Sequence, residues 1–203
     1  MFSGIIEQQS EILDVVEKQT SVQITVRRPK TFDDLKLGDS IATNGVCLTV
    51  ENLQSTTMQF TLGQETLKFL DRAFINWKIL KLNLERSLKF GDRVHGHLVT
   101  GHVDQLGEVI ESFASGECWL LKIKLFDGQG VVWKKGSIAI NGISLTVNEV
   151  ETTAEGLYFS VCLIPETIKK TNLADYRIGD LVMIETDYLA KAYFSKQSTE
   201  MPL

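Results

Sequence analysis

Two short stretches carry side chains suited to nucleophilic or hydrogen-bonding chemistry, and they are nearly the same stretch. Cys47 follows the Asn44-Gly45 dipeptide by two residues and precedes Thr49 by two; Ser144 stands in the same relation to Asn141-Gly142 and Thr146. On a strand, residues two apart face the same way. Each stretch therefore offers a paired polar set, Cys47 with Thr49 and Ser144 with Thr146. Thiol and hydroxyl groups can donate or accept a hydrogen bond, or attack an electrophile once activated. For a single residue the plainer reading is a small side chain in a barrel core; its appearance twice in one context argues against that.

The three histidines crowd into 95–102, as His95, His97 and His102. Their spacing fits no usual zinc site, and no second ligand cluster supports one. His102 aligns with Ile5, a polar residue at an apolar position of the repeat, and histidine is the ordinary choice for moving protons near neutral pH. Gly4 and Gly101 open equivalent strands, where a glycine lets a ligand approach the backbone. Thr66 and Thr167 are suited to bonding a polyol, with helix N-capping the plainer role. No glycine-rich dinucleotide fingerprint or P-loop is present.

These residues recur at one offset: Gly4 with Gly101, Gly45 with Gly142, Cys47 with Ser144. The period is about half of the 203 residues, so the repeating unit is a small domain. Leu80–Glu85 alternates strictly and predicts a half-buried strand; Trp119–Leu125 also reads as a strand. Met58–Leu62 and Leu157–Leu163 are matching strands, each followed by a short helical turn, at Glu65–Leu70 and Glu166–Lys170. The second copy has gained four residues, placed near Glu155-Gly156. The expected fold is all-β, two tandem six-stranded antiparallel barrels, with residues 1–90 and 96–187 as the two units. Residues 188–203 are expected to form a C-terminal helix and tail; Leu189, Ala192 and Tyr193 share a helical face that needs a partner, with another subunit the expected one.

The net charge of −5, with no basic run, argues against nucleic acid or an anionic membrane as partner. No apolar run reaches the roughly 20 residues of a membrane span, and residues 1–6 do not read as a secretory leader. Cys47, Cys118 and Cys162 are odd in number and far apart, with no disulfide framework. A reducing cytoplasm is the expected setting.

Met1–Ile6, Asn44–Val50, Gly96–Asp104, Asn141–Val147 and Ile164–Thr167, in this order, resemble riboflavin synthase of the alpha-chain type, from Met1 to about Tyr193. The resemblance implies two six-stranded Greek-key barrels, a homotrimer, and no metal or redox cofactor. It implies dismutation of two 6,7-dimethyl-8-ribityllumazine molecules to riboflavin and 5-amino-6-ribitylamino-uracil, at a site between the N-barrel of one subunit and the C-barrel of the next. Lumazine synthase is a further expected partner. Carried over, the N-barrel seat uses Gly4, Ile5, Ile6, Cys47, Leu48, Thr49, Thr61, Leu62, Gly63, Gln64, Glu65 and Thr66. The C-barrel seat uses Gly101, His102, Val103, Lys135, Ser144, Leu145, Thr146, Cys162, Leu163, Ile164, Pro165, Glu166 and Thr167. Cys47, Ser144, His102, Thr49 and Thr146 are the expected catalytic set, and Ser40, His97 and Asp187 match further family positions. The segment 69–77 departs from the family pattern, as does Gln64 where the second copy has Pro165. Two other readings exist. Lumazine proteins share the fold and bind one lumazine or flavin without turnover; they typically lose the polar pair in one barrel, and here both pairs survive. A flavin-binding barrel of the reductase type requires a nicotinamide-binding domain, for which this chain has no room.

Overall fold

In the computed structural model, which describes residues 1–70, 72–126 and 131–199, each half runs through the same series of antiparallel strands. The first half contains β1 (Gln8–Ser10), β2 (Ile12–Glu17), β3 (Ser21–Arg27), β4 (Ser40–Thr43), β5 (Val46–Thr49), β6 (Asn52–Leu53), β7 (Thr57–Gly63), helices α1 (Gln64–Leu70) and α2 (Ala73–Ile79), and β8 (Leu82–Arg86). The second contains β9 (Gln105–Ser115), β10 (Cys118–Leu125), β11 (Ser137–Ile140), β12 (Ile143–Thr153), β13 (Gly156–Leu163), helix α3 (Pro165–Lys170), a 3₁₀ turn at Leu173–Asp175, and β14 (Leu181–Thr186). Helix α4 (Tyr188–Thr199) follows.

The second half closes into a six-stranded barrel, in the order β10-β13-β12-β11-β14-β9. The first follows the same course but as two four-stranded sheets, β1-β8-β4-β5 and β2-β3-β7-β6. The difference is local. β9 is a single strand bent by a register shift at Lys122/Ile123 of its partner β10, and β12 bends between Val147 and Glu149. At the equivalent points the first half breaks, giving β1 and β2 in place of β9 and β5 and β6 in place of β12. Bulges bend strands and raise local twist; here the same bend is absorbed in one half and interrupts the strand in the other. The four extra residues of the second copy lengthen the β12–β13 hairpin, whose turn is at Ala154-Glu155.

Both Asn-Gly turns have positive φ at both residues: Asn44 46° and Gly45 83°, Asn141 48° and Gly142 80°. That is the geometry a two-residue hairpin requires, and asparagine and glycine tolerate it best. The turns meet on a pseudo-twofold axis: a Cβ added to Gly45 would lie 2.6 Å from the Gly142 nitrogen, and one on Gly142 2.8 Å from the Gly45 nitrogen.

Buried amides fasten this axis. Asn44 Oδ1 accepts from the Asn83 N–H (2.8 Å) and Asn141 Oδ1 from the Met183 N–H (2.8 Å). Asn172 breaks the symmetry: its Nδ2 donates to Asn44 Oδ1 and to the Lys81 carbonyl, and its Oδ1 accepts from Asn83 Nδ2 (2.8 Å). This explains why β8 is buried on both faces at Leu82–Glu85 and not half-buried as its alternation predicts: Asn83 and Glu85 face the other half and the chain start.

Each half centres on an apolar core, Ile24, Phe32, Met58, Phe60 and Trp77 in the first, Ile123, Phe159, Val161 and Tyr176 in the second. The departing segment 69–77 supplies α2, whose Ala73 and Trp77 close one end of the first barrel. Segment 2–6 leaves its own half. Phe2 pairs with Val99, and Ile6 joins the core of the second barrel, while Val103 packs on the first. Leu189 and Tyr193 on α4 stay exposed. No helix among the described residues is long and apolar enough to cross a membrane; residues 200–203 of the expected tail lie outside the described residues.

The cysteines depart from expectation. Cys118 and Cys162 form a disulfide, with Cα atoms 5.9 Å apart. Forty-four residues separate them in sequence, but β10 and β13 are hydrogen-bonded neighbours, and Cys162 lies opposite Leu120, two residues from Cys118. Cys47 is free.

Candidate functional site

The exchange of strand starts decides which residues meet. The Ser144 N–H donates to the Gly4 carbonyl (2.8 Å), and the Cys47 N–H donates to the Gly101 carbonyl (2.9 Å). Gly4 (φ 75°) and Gly101 (φ 79°) occupy left-handed backbone, and a Cβ on either would come within 2.6 Å of the Cβ of Ser144 or Cys47. Glycine is required twice over, by conformation and by contact. The expected seats are therefore regrouped: Gly4 and Ile5 border Ser144, and Gly101, His102 and Val103 border Cys47.

This regrouping also changes which histidine meets the serine. His97 Nδ1 lies 2.7 Å from Ser144 Oγ. Gly96 packs so closely that an added Cβ would meet both the Ser3 carbonyl and Ser144. Burial pushes the His97 imidazole below its ordinary value, against the opposing pull of the Asp187 carboxylate. The ring is thus held neutral, with one nitrogen on Ser144, and its Nε2 is buried without a protein partner among the described residues. A neutral imidazole touching a hydroxyl can take or relay a proton. His102, expected beside Ser144, is exposed on the Cys47 side, where its backbone N–H donates to Thr100 Oγ1 (3.2 Å).

Thr49 and Thr146 are exposed and lie opposite Ser40 and Ser137 on the neighbouring strands. Lys135 begins the second seat's rim with φ 67°, where the first half has Gly38 at 87°. Thr66 and Thr167 lie inside α1 and α3, half-buried, and neither is an N-cap; Ile164 stands at the N-cap position of α3 without a side-chain cap bond, with Pro165 in its first turn. Thr61 Oγ1 donates to Glu51 (2.6 Å). Gly63, Gln64, Glu65, Ile164 and Glu166 are exposed around the same ends, and Lys170 holds the Glu166 carboxyl below its usual range. Leu48, Leu62 and Leu163 are core residues and Leu145 packs on the second core, so their side chains serve the barrels. Cys162 is committed to its disulfide. A cleft of about 820 Å³ opens beside Ile5, lined also by Ser3, Ser40, Arg86 and His95.

Two carboxylates were missed in the sequence. Glu85 accepts from the Ser3 N–H (2.7 Å), Ser3 Oγ (2.8 Å) and the Gly4 N–H (3.0 Å). Glu185 accepts from the Thr100 N–H (2.6 Å), Thr100 Oγ1 (2.7 Å) and the Gly101 N–H (2.9 Å). Burial pushes both carboxyls up, and these donors pull them down. Only half of the signal was available: Glu185 ends the apolar run Leu181–Ile184, whereas Glu85 is one polar residue among several in the alternating β8.

The profile of the lumazine binding domain family matches residues 3–87 and again 100–187. The chain is thus a tandem pair of lumazine binding domains. It is 38% identical over 195 residues to the riboflavin synthase of Photobacterium phosphoreum, covering 94% of this chain and 86% of that protein. It is 36% identical over 193 residues to that of Escherichia coli K12, covering 92% and 87%. Among solved structures it is similar to LumP complexed with riboflavin (TM-score 0.79, 21% identity) and to LumP complexed with 6,7-dimethyl-8-(1'-D-ribityl) lumazine (0.77, 20%), each covering 92% of this chain and 99% of the other. The chain belongs to the riboflavin synthase family, and the fold is that of LumP.

Proposed function

We propose that the protein converts two molecules of 6,7-dimethyl-8-ribityllumazine to riboflavin and 5-amino-6-ribitylamino-uracil, one lumazine passing a four-carbon unit to the other. The reaction sets two identical molecules to unlike tasks. One loses a proton from its C7 methyl group and attacks as a carbanion; the other accepts at C7. The observation that carries the reading is a pair of homologous seats that differ at the reactive position: Cys47 against Gly101 in one, Ser144 with His97 against Gly4 in the other. Ser144 and His97 supply a proton-transfer pair in one seat alone. Cys47 and its neighbour Thr49 hold or add to the second ring. Holding two rings in register accounts for much of the rate, since orientation alone can contribute about 7 kcal/mol or more of a barrier.

As the family resemblance implies, the working pair is built between chains, in a homotrimer to which α4 contributes its exposed Leu189 and Tyr193. The second reading, a lumazine or flavin carrier without turnover, is favoured by the likeness of the fold to LumP. Mixing purified protein with the lumazine separates the two. Riboflavin absorbance growing with time supports the enzyme; a bound lumazine that stays unconverted overturns it in favour of the carrier.

A further inference from the structure

We infer that Glu85 and Glu185 are positioning residues that act across the two halves: Glu85, on the first half, sets the Ser144–His97 pair of the second, and Glu185, on the second half, sets Cys47 of the first. The inference rests on the reading of Cys47 and Ser144 as the reactive positions of two seats.

The contacts form a short chain in each direction. Glu85 holds Ser3 by its N–H and hydroxyl and Gly4 by its N–H. The Ser3 carbonyl then accepts from the His97 N–H (3.2 Å), and the Gly4 carbonyl accepts from the Ser144 N–H (2.8 Å). One carboxylate thus fixes the backbones of both members of a pair whose side chains meet at 2.7 Å. Glu185 holds Thr100 and Gly101 in the same three-point manner, and the Gly101 carbonyl accepts from the Cys47 N–H.

The two chains of contacts are not equal. Thr100 occupies the repeat position of Ser3, but it is the Ser3 carbonyl that accepts from the His97 N–H. Glu85 therefore positions two reactive residues and Glu185 one. Glu185 also feels the charge of Lys191 on α4, whose ammonium bonds Asp104. A buried carboxylate held by three donors is a rigid anchor, because losing any partner strands a polar group.

Glu85→Gln and Glu185→Gln test the crossing, because each puts amide hydrogens against backbone N–H groups with little change of shape. Two reporters read the seats separately and need no turnover. Alkylation of Cys47 by iodoacetamide, followed by the mass of its peptide under non-reducing conditions, reads the first seat. The imidazole NMR signals of His97, assigned with His97→Gln, read the second. Glu185→Gln should speed Cys47 alkylation about tenfold, the size expected for freeing one anchored strand start, and leave the His97 signals in place. Glu85→Gln should move the His97 signals and leave Cys47 alkylation within about twofold of the parent. Thr100→Ala and Ser3→Ala, which each remove one of the three contacts, should give the same pattern at smaller amplitude and serve if a glutamine variant does not fold. Changes in both reporters from either variant, in neither, or in the reporter of the variant's own half would overturn the crossing. Failure to form riboflavin would overturn the proposed reaction and leave this pattern untouched.

Discussion

The seats around Cys47 and Ser144 share a backbone and differ in what is laid over it. Both hang on an Asn-Gly turn, both receive a glycine carbonyl from the opposite half, and both are anchored by a buried glutamate. Among the described residues, only Ser144 of the two has an imidazole within hydrogen-bond distance of its side chain, that of His97. The repeat gives two matching frames, and the segment before Val99 lays His97 over one of them.

The largest way to break the comparison is to crowd one seat. In Gly4→Ala the new methyl would fall 2.6 Å from the Ser144 Cβ, on backbone at φ 75°. Riboflavin formation should fall about 10²-fold or more, the cost of misplacing a reacting group by an ångström. Lumazine titration of the same variant should lose the weaker or stronger of two binding steps and keep the other. Gly101→Ala should remove the complementary step. Loss of both steps from either change would mean that the seats are not separable.

Next comes the chemistry of the second seat. Ser144→Ala and His97→Gln should each lower kcat about 10²-fold, the low end for a positioned acid–base group, whereas Cys47→Ser, which makes the two copies alike, should cost less. A steady-state rate unchanged in Ser144→Ala would refute the assignment. The pH dependence follows from the burial of His97, which favours its neutral form. Activity should persist as pH falls through the ordinary imidazole value near 6.5 and decline only below it. The same shift has a sign for stability: the unfolded chain protonates His97 first, so folding weakens as pH drops below about 6.5, and His97→Gln should flatten that slope in thermal melts.

Much of this frame was legible from residue types. The repeat, the Asn-Gly turns and the glycines each carry a local signature, a dipeptide or a fixed offset, that survives without coordinates. The regrouping of the seats was not legible, because an offset says which residues are alike and not which are neighbours. Gly4 aligns with Gly101, yet each sits in the other half's frame. His102 aligns with an apolar residue, Ile5, yet His97 is the histidine that meets Ser144. Cys118 and Cys162 show the same limit, since only strand order brings β10 beside β13.

The amide cluster on the axis offers a smaller perturbation. Asn172 bridges Asn83, Asn44 and the Lys81 carbonyl, and no described residue of the first half makes the matching bonds. Asn172→Ala would leave Asn83 Nδ2 with only its longer bond to the Asn141 carbonyl (3.2 Å) in a buried place. A loss of about 2 kcal/mol is expected, read as a lower midpoint in urea unfolding. Because none of these bonds reaches the side chains of Cys47, Ser144 or His97, kcat at low temperature should hardly change. A large fall in kcat with unchanged stability would place Asn172 in the site and not on the axis.

The smallest expected effect separates backbone from side chain at the rims. Lys135 and Gly38 occupy the same turn, both with positive φ. A lysine there bears strain on the order of 1 kcal/mol that glycine would not. Replacing it by glycine returns some of that through a more flexible unfolded chain, roughly 0.5–1 kcal/mol. Lys135→Gly should therefore leave the unfolding midpoint nearly where it was. Its side chain is exposed at the rim of the Ser144 seat, so any consequence should appear in ligand binding. A few-fold weaker lumazine affinity at that seat, with stability unchanged, would mark Lys135 as a ligand contact kept at a strained position. Unchanged affinity together with a gain in stability would make it a residue the seat does not use, and would leave Ser144 and His97 as the whole chemical difference between the two halves.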